Sequence, residues 1–180
     1  SVATPCAEGF TSLPCAAMDA PHVRRRRLSS SPLCRGLTDA ELDEVLAISR
    51  DVLVPANDFV FKQGEPSDVL LFIGRGRVEV SRDGQVLATL GIGEALGELS
   101  VLSGGYKRSA SAKALSEVLA VRVELREFRK LLEAWNVAAM KITVNLAHQL
   151  SERMASLTER VVAAEKKKEP APSLPSWKLS

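Results

Sequence analysis

The residues best suited to chemistry lie between positions 97 and 110, a segment that we call the cassette. Gly97 and Glu98 open a short apolar turn, a glycine-rich loop follows, and Arg108 stands beside the hydroxyl of Ser109. Backbone N–H groups at a helix start attract anionic oxygens, a guanidinium offers phosphate a planar fork of donors, and a carboxylate accepts from a sugar hydroxyl. The cassette therefore fits a ribose phosphate, and a structural ion pair between Arg108 and Glu98 is the alternative.

Other reactive side chains form no recognisable site. The three cysteines, Cys6, Cys15 and Cys34, are odd in number and include no C-x-x-C pair, so neither a disulfide framework nor a zinc site is predicted. His22 and His148 have no partner in the sequence that would make a catalytic base or a metal ligand. We therefore predict a binding protein without a metal, not an enzyme.

The charge distribution argues against nucleic-acid binding. The 180 residues carry a net charge of +2, yet residues 37–160 hold 15 Lys/Arg against 18 Asp/Glu. The basic excess therefore lies in the flanks, whereas a nucleic-acid-binding core is usually basic. No run of 18 apolar residues exists, so the sequence predicts no membrane span, and we expect a cytoplasmic protein, or an organellar one if residues 1–35 are a transit remnant.

The hydrophobic pattern predicts a helix, then strands, then helices again. Thr38 and Glu41 form a capping box before the first helix. Short β-branched stretches then recur up to Val123, and Asp83-Gly84 is typical of a type I′ hairpin turn because both positions tolerate a positive φ. Many short strands with frequent turns predict a sandwich, a jelly roll or a small barrel. The predicted strands are Val52–Val54, Phe59–Phe61, Val69–Ile73, Arg77–Ser81, Gln85–Leu90, Ser109–Ala114 and Val118–Val123.

Two helices are predicted after the strands. Phe128, Leu131 and Leu132 fit a short one, and a longer one follows from about Val137 to Ala164. The longer helix carries apolar residues in a heptad-like pattern, which we call the seam: Met140, Ala147, Met154 and Val161, with Leu150 and Leu157 offset by three. The seam predicts either a homodimer through residues 140–161 or packing of the helix on its own sheet.

The two ends of the chain have the composition of flexible segments. Residues 1–35 are rich in proline and serine and include the run Arg24 to Arg27, so we predict a linker or a targeting remnant there. Residues 165–180 are charged and proline-rich, which predicts a disordered tail. The domain itself is predicted at residues 36–164.

The order of motifs from Leu37 to Val161 resembles the cyclic nucleotide-binding domain family. Residues 72–80, Phe-Ile-Gly-Arg-Gly-Arg-Val-Glu-Val, are similar to the family's strand–glycine–strand signature. Residues 90–99 are similar to its run into the phosphate-binding segment, and Arg108-Ser109-Ala110 completes that segment. The resemblance implies a mainly β fold, a jelly-roll-like β-roll followed by a short and a long C-terminal helix.

The resemblance also implies roles for single residues. Arg108 would hold the cyclic phosphate with the hydroxyl of Ser109 and the backbone amides of Ser109 and Ala110. Glu98, with the backbone of Gly97 and Leu99, would hold the ribose 2′-hydroxyl, and the long helix would cover the base.

Three positions depart from the family pattern. Leu96 replaces a frequent Phe, Lys107 replaces a frequent Pro, and residues 152–154 read Glu-Arg-Met where the catabolite activators of bacteria carry a Thr-Ser pair. The choice between cAMP and cGMP therefore stays open.

We predict a regulatory module that binds cAMP or cGMP and signals to a partner protein, or to another part of a longer chain, by movement of its C-terminal helices. A similar pattern occurs in cyclic nucleotide-binding modules appended to bacterial enzymes and transporters. Two alternatives remain: a ligand-free structural β-roll, and a kinase-regulatory or kinase-substrate protein in which Ser29, after Arg26-Arg27-Leu28, is phosphorylated.

Overall fold

The computed structural model describes residues 21–98, 101 and 107–168, and the side chains of 21, 160, 161 and 164–168 are not part of that description. The helices are α1 (Pro21–Ser29), α2 (Asp39–Ala47), α3 (Leu125–Glu133) and α4 (Val137–Lys168), with a 3₁₀ turn at Pro32–Cys34. The strands are β1 (Ser49–Val54), β2 (Phe59–Phe61), β3 (Val69–Arg75), β4 (Val78–Arg82), β5 (Gln85–Leu90), β6 (Ala95–Leu96), β7 (Ser111–Ala114) and β8 (Val118–Glu124).

The eight strands form two four-stranded antiparallel sheets. One has the order β1-β8-β3-β6 and the other the order β2-β7-β4-β5. Their inward side chains form one apolar core. Strand β7 alternates between half-buried and buried positions, whereas β3 and β8 are buried along most of their length. The core residues are Val52, Val54, Val60, Val69, Leu71, Ile73, Val78, Leu96, Ala112, Ala114, Val118 and Ala120. The predicted mainly β fold with flanking helices is confirmed.

Local rules predicted several details of this fold correctly. Thr38 Oγ1 accepts from the backbone N–H of Glu41, and Glu41 Oε2 accepts from that of Thr38, which confirms the capping box. Asp83 and Gly84 both have positive φ, and the β4–β5 hairpin closes with Arg82 opposite Gln85, as a type I′ turn requires. The short strand β6 was not predicted, because its two residues are too few to show a period.

Residues 21–35 differ from the prediction of a flexible linker. They form α1 and the 3₁₀ turn, and Leu28, Leu33 and Cys34 are buried. The arginine run contributes to this packing: Arg24 Nε donates to Asp51 Oδ2 at 2.8 Å, and Arg27 Nη1 lies 3.4 Å from Asp51 Oδ1. Composition did not indicate this helix, because its buried contacts come from one leucine and from charges that pair only in the folded chain.

The C-terminal helices belong to two compact units. The first unit ends at Leu146 and includes α3 and the start of α4, where Ala138, Ala139, Ile142 and Leu146 are fully buried. Lys141 Nζ, also in this part of α4, donates to both carboxylate oxygens of Glu41 at 2.8 Å. The second unit begins at Ala147, and its described part is the remainder of α4, which continues to Lys168, past the domain boundary predicted at residue 164.

Candidate functional site

Gly97 provides the space on which the candidate site depends. It follows β6 and has a φ of +84°, a conformation that side chains rarely adopt. A Cβ at this position would lie 2.4 Å from Nη1 of Arg108 and 2.5 Å from the carbonyl oxygen of Val69. The guanidinium of Arg108 therefore packs directly on the backbone beside Glu98, and only glycine leaves room for it.

Arg108 is buried, with 5% of its surface exposed. Its Nη2 donates to the carbonyl oxygen of Val69 at 3.1 Å, and its Cζ lies 4.0 Å from the centroid of the Phe61 ring. Within the described part of the chain, Nε and Nη1 are buried and have no hydrogen-bond partner. A buried donor without a partner costs about 1–3 kcal/mol, and more for a charged group. The side chain is thus held in place, while its Nε and Nη1 are directed at no acceptor among the residues that the structure describes.

The charges around Arg108 keep a buried cation tolerable. Burial lowers the pKa of its guanidinium from the usual value, and the carboxylates of Asp68 and Glu65 oppose that effect most strongly. The negative charge of Glu98 also opposes it, but acts more weakly than those two. The structure therefore places Arg108 and Glu98 in one region, and its electrostatic balance depends mainly on residues 65 and 68.

Backbone hydrogen bonds fix the chain on which Arg108 stands. The N–H of Arg108 donates to the carbonyl of Glu65 at 2.8 Å, and the N–H of Gly64 donates to the carbonyl of Arg108 at 2.9 Å. The amides of Ser109 and Ala110, which come next, donate to no residue that the structure describes. The N–H groups of Ser109 and Ala110 and the exposed hydroxyl of Ser109 are therefore further hydrogen-bond donors that follow Arg108 directly in the chain.

The structure describes most of the predicted site residues, but not Leu99. Glu98 is half-buried, and its carbonyl accepts from the N–H of Val101 at 3.1 Å. Leu99 and the glycine loop at 102–106 lie outside the described residues. Two contacts of Arg108, the ring of Phe61 and the carbonyl of Val69, were not predicted, because no local pattern relates positions 61 and 69 to position 108.

The predicted phosphorylation site, Ser29, lies in the last turn of α1. Its hydroxyl is exposed and donates to the carbonyl of Arg26 at 3.0 Å. The residues before it are engaged by the fold, because Arg27 contacts Asp51 and Leu28 is fully buried. Phosphorylation at Ser29 stays a prediction, and a kinase would have to reach a segment that is packed on the domain.

The other features of the described residues lie apart from the cassette or carry no metal-ligating group. Residues 21–98, 101 and 107–168 contain no group of three His, Cys, Asp or Glu that could hold a metal ion. Burial raises the pKa of the Cys34 thiol to about 12, so this cysteine is a poor nucleophile.

No described helix is long and apolar enough to cross a membrane. A polar cleft of about 440 Å³ lies beside Asp68 and α3, and its lining does not include Gly97, Glu98 or Arg108.

Comparison with known proteins identifies the domain. Residues 51–134 match the family model of the cyclic nucleotide-binding domain. This match assigns residues 51–134 to the cyclic nucleotide-binding domain family and confirms the resemblance seen in the sequence.

The similar proteins include curated sequences and a solved structure, which at 21% identity shows a shared fold. An uncharacterized NTE family protein of Mycobacterium tuberculosis is 29% identical over 137 residues, which are 76% of this chain and 23% of that protein. The cyclic AMP receptor protein of Thermus thermophilus is 32% identical over 130 residues, or 69% of this chain and 60% of that protein. The crystal structure of a cyclic nucleotide-binding domain from Methylobacillus flagellatus superposes with a TM-score of 0.71, covering 87% of this chain and 90% of that one at 21% identity. The chain thus spans about a quarter of the mycobacterial relative.

Proposed function

We propose that this chain is a cyclic nucleotide sensor that binds cAMP or cGMP in the cassette. The observation that carries the proposal is the buried guanidinium of Arg108, whose Nε and Nη1 have no partner among the described residues while it packs on Gly97. A cyclic phosphate supplies the oxygens and the negative charge that these donors require. Family membership supports a cyclic nucleotide over other phosphates.

Each residue of the cassette has a distinct part in the proposed complex. The fork of Arg108 binds the phosphate oxygens, while the ring of Phe61 and the carbonyl of Val69 hold the guanidinium plane in position. The amides of Ser109 and Ala110 and the hydroxyl of Ser109 donate to the same phosphate. Glu98, with the backbone of Gly97 and Leu99, accepts from and orients the ribose 2′-hydroxyl.

Binding is proposed to act through the C-terminal helices. A nucleotide that binds better when the long helix covers the base shifts the population toward that closed state, by as much as its affinity for the two states differs. The output is read by a partner protein or by another part of a longer chain. Two predictions accompany the sensor: a homodimer through the seam and a cytoplasmic location.

Calorimetric titration with cAMP, cGMP and 5′-AMP tests the proposal. We expect saturable binding of at least one cyclic nucleotide and much weaker binding of 5′-AMP, whose phosphate is not tied to the 3′-oxygen. The relative named a cyclic AMP receptor protein favours cAMP as the tighter ligand. No heat from either cyclic nucleotide at millimolar concentration would refute the sensor and support a structural β-roll that works without a ligand.

A further inference from the structure

Trp135, which joins α3 to α4, combines two unfavourable features. It has a φ of +57°, and 78% of its surface is exposed. Its N–H donates to the carbonyl of Leu132 and the N–H of Asn136 to that of Leu131, so it holds the position after a helix end that glycine usually takes. A bulky residue in this conformation is strained, and an indole in water leaves its apolar surface unused. Neither the positive φ nor the exposed indole stabilises the folded monomer.

An apolar groove begins two residues after Trp135. Its floor is formed by Val137, Met140 and Val144, three exposed side chains of α4 within the first compact unit. Arg35, Gly36, Lys141 and Asn145 complete the lining of this groove, whose volume is about 430 Å³. Covering the three side chains of the floor would remove apolar surface from water, which favours association.

We propose that the groove is occupied by Trp135 of a second copy of this chain. Trp135 and the groove belong to the same compact unit. In a two-fold symmetric dimer, the indole of each copy would enter the groove of the other, which is an isologous interface. Tryptophan is the residue that most often anchors such interfaces. The two indoles would leave water, and the groove floors would be covered.

The charges around the two features are complementary. Glu133 is exposed two positions before Trp135 in the chain, and Glu44 Oε2 accepts from Nδ2 of the next residue, Asn136, at 2.6 Å. Arg35 is exposed at the groove, whereas Lys141, which also lines it, is already paired with Glu41. The two-fold arrangement brings the acidic side of one copy to the basic side of the other. This complementarity favours a second copy over an unrelated apolar partner.

The fluorescence of Trp135 tests the proposal directly. The chain has two tryptophans, so a Trp177→Phe variant of the full chain leaves Trp135 as the only indole. We expect its emission to shift to shorter wavelength as concentration rises through the range in which sedimentation shows a dimer. A chain that stays monomeric at high micromolar concentration, or a dimer whose Trp135 emission stays that of an indole in water, would overturn the proposal. The second result would assign the dimer to the seam instead.

Substitutions separate the interface from the fold. Trp135→Gly should weaken the dimer by at least about thirtyfold, as expected for an interface anchor. The same change should raise the thermal midpoint of the monomer, because glycine adopts the positive φ without strain. Glu133→Arg and Arg35→Glu should each weaken the dimer, and the double variant should recover much of the lost affinity. A Trp135→Gly chain that dimerises as tightly as the original would overturn the proposal, whatever its stability.

Discussion

At the scale of single residues, Arg108 determines how the cassette responds to substitution. Arg108→Ala removes charge-assisted hydrogen bonds worth about 1.5–3 kcal/mol each, and should weaken cyclic nucleotide binding about a hundredfold. Arg108→Lys should recover only part of the affinity, because an ammonium lacks the planar fork. Glu98→Gln should lose less than Arg108→Ala, because it keeps one acceptor. Calorimetry measures all three, with Arg77→Ala, an exposed arginine, as the control.

The stability of the same variants without nucleotide distinguishes a binding residue from a structural ion pair. Arg108→Ala loses the bond to Val69 and the contact with Phe61, but it also removes two buried donors that have no described partner. These effects oppose each other, so the thermal midpoint should change little. A loss of many degrees, together with no nucleotide binding by the original chain, would show that Arg108 serves the fold alone.

Gly97 offers a second test of the geometry. Gly97→Ala places a Cβ against Arg108 and the Val69 carbonyl, in a conformation that costs about 1–2 kcal/mol by itself for a residue other than glycine. We expect lower stability in urea unfolding and at least about tenfold weaker binding, because the guanidinium must move. Gly84 has a positive φ but no atom within 4 Å of an added Cβ, so Gly84→Ala measures the backbone strain alone. Gly91 has neither a positive φ nor such a neighbour, so Gly91→Ala serves as the control without strain or contact. Equal affinities for Gly97→Ala and Gly84→Ala would contradict the packing described here.

At the scale of elements, Asp51 attaches α1 to the sheet. Its side chain is 1% exposed and contacts Arg24 and Arg27. Asp51→Asn removes a buried negative charge that contacts both guanidinium groups, so urea unfolding should show a loss of about 2–4 kcal/mol, near the range for broken buried pairs. The matched control is Asp43→Asn, which breaks the exposed pair with Arg25 and should lose at most about 1 kcal/mol. Similar losses in both variants would mean that α1 is not held by Asp51.

The contact between Glu41 of α2 and Lys141 of α4 predicts a pH dependence. A hydrogen bond from Lys141 holds the pKa of Glu41 below its usual value of 4.5, and the backbone N–H of Thr38 lowers it further. A carboxylate whose pKa is lower in the folded state stabilises the fold above its unfolded pKa. That contribution is lost as pH falls below about 4.5 through the folded pKa. Thermal unfolding between pH 6 and pH 3 should therefore depend less steeply on pH in Glu41→Gln, and an unchanged slope would refute this contribution.

At the scale of the whole molecule, the seam predicts self-association along α4. Met154 and Leu157 are exposed in the monomer, as expected for residues that would be covered by a partner helix in a dimer. A lysine at Met154 buries a lone charge in any seam dimer and should dissociate it, whereas Ser151→Lys, an exposed polar position next to the seam, should not. Sedimentation at micromolar concentration measures both. If Met154→Lys dimerises like the original chain while Trp135→Gly does not, the groove holds the dimer and the seam does not.

Most of the fold followed from local patterns. The capping box at Thr38, the Asp83-Gly84 hairpin and the strands other than β6 each depend on residues within a few positions of one another, and the sequence predicted them with small differences in their ends. Helix α1 was not predicted, because its stability comes from the burial of Leu28 and from ion pairs to Asp51, 24 and 27 positions away in the chain.

The sequence by itself determined the order of the elements other than α1 and β6, and it drew attention to Gly97, Glu98 and Arg108 as candidate site residues. Glycine, carboxylate and guanidinium each have a characteristic chemical role, and here they lie close together in the sequence, so a local pattern is enough to recognise them. Only the tertiary structure decided how Arg108 is held, since its partner Val69 is 39 residues away and Phe61 is further still. The exposure of Trp135 was decided in the same way: an aromatic residue at a helix junction packs inward or faces water according to what the rest of the fold brings beside it, and local sequence does not carry that information.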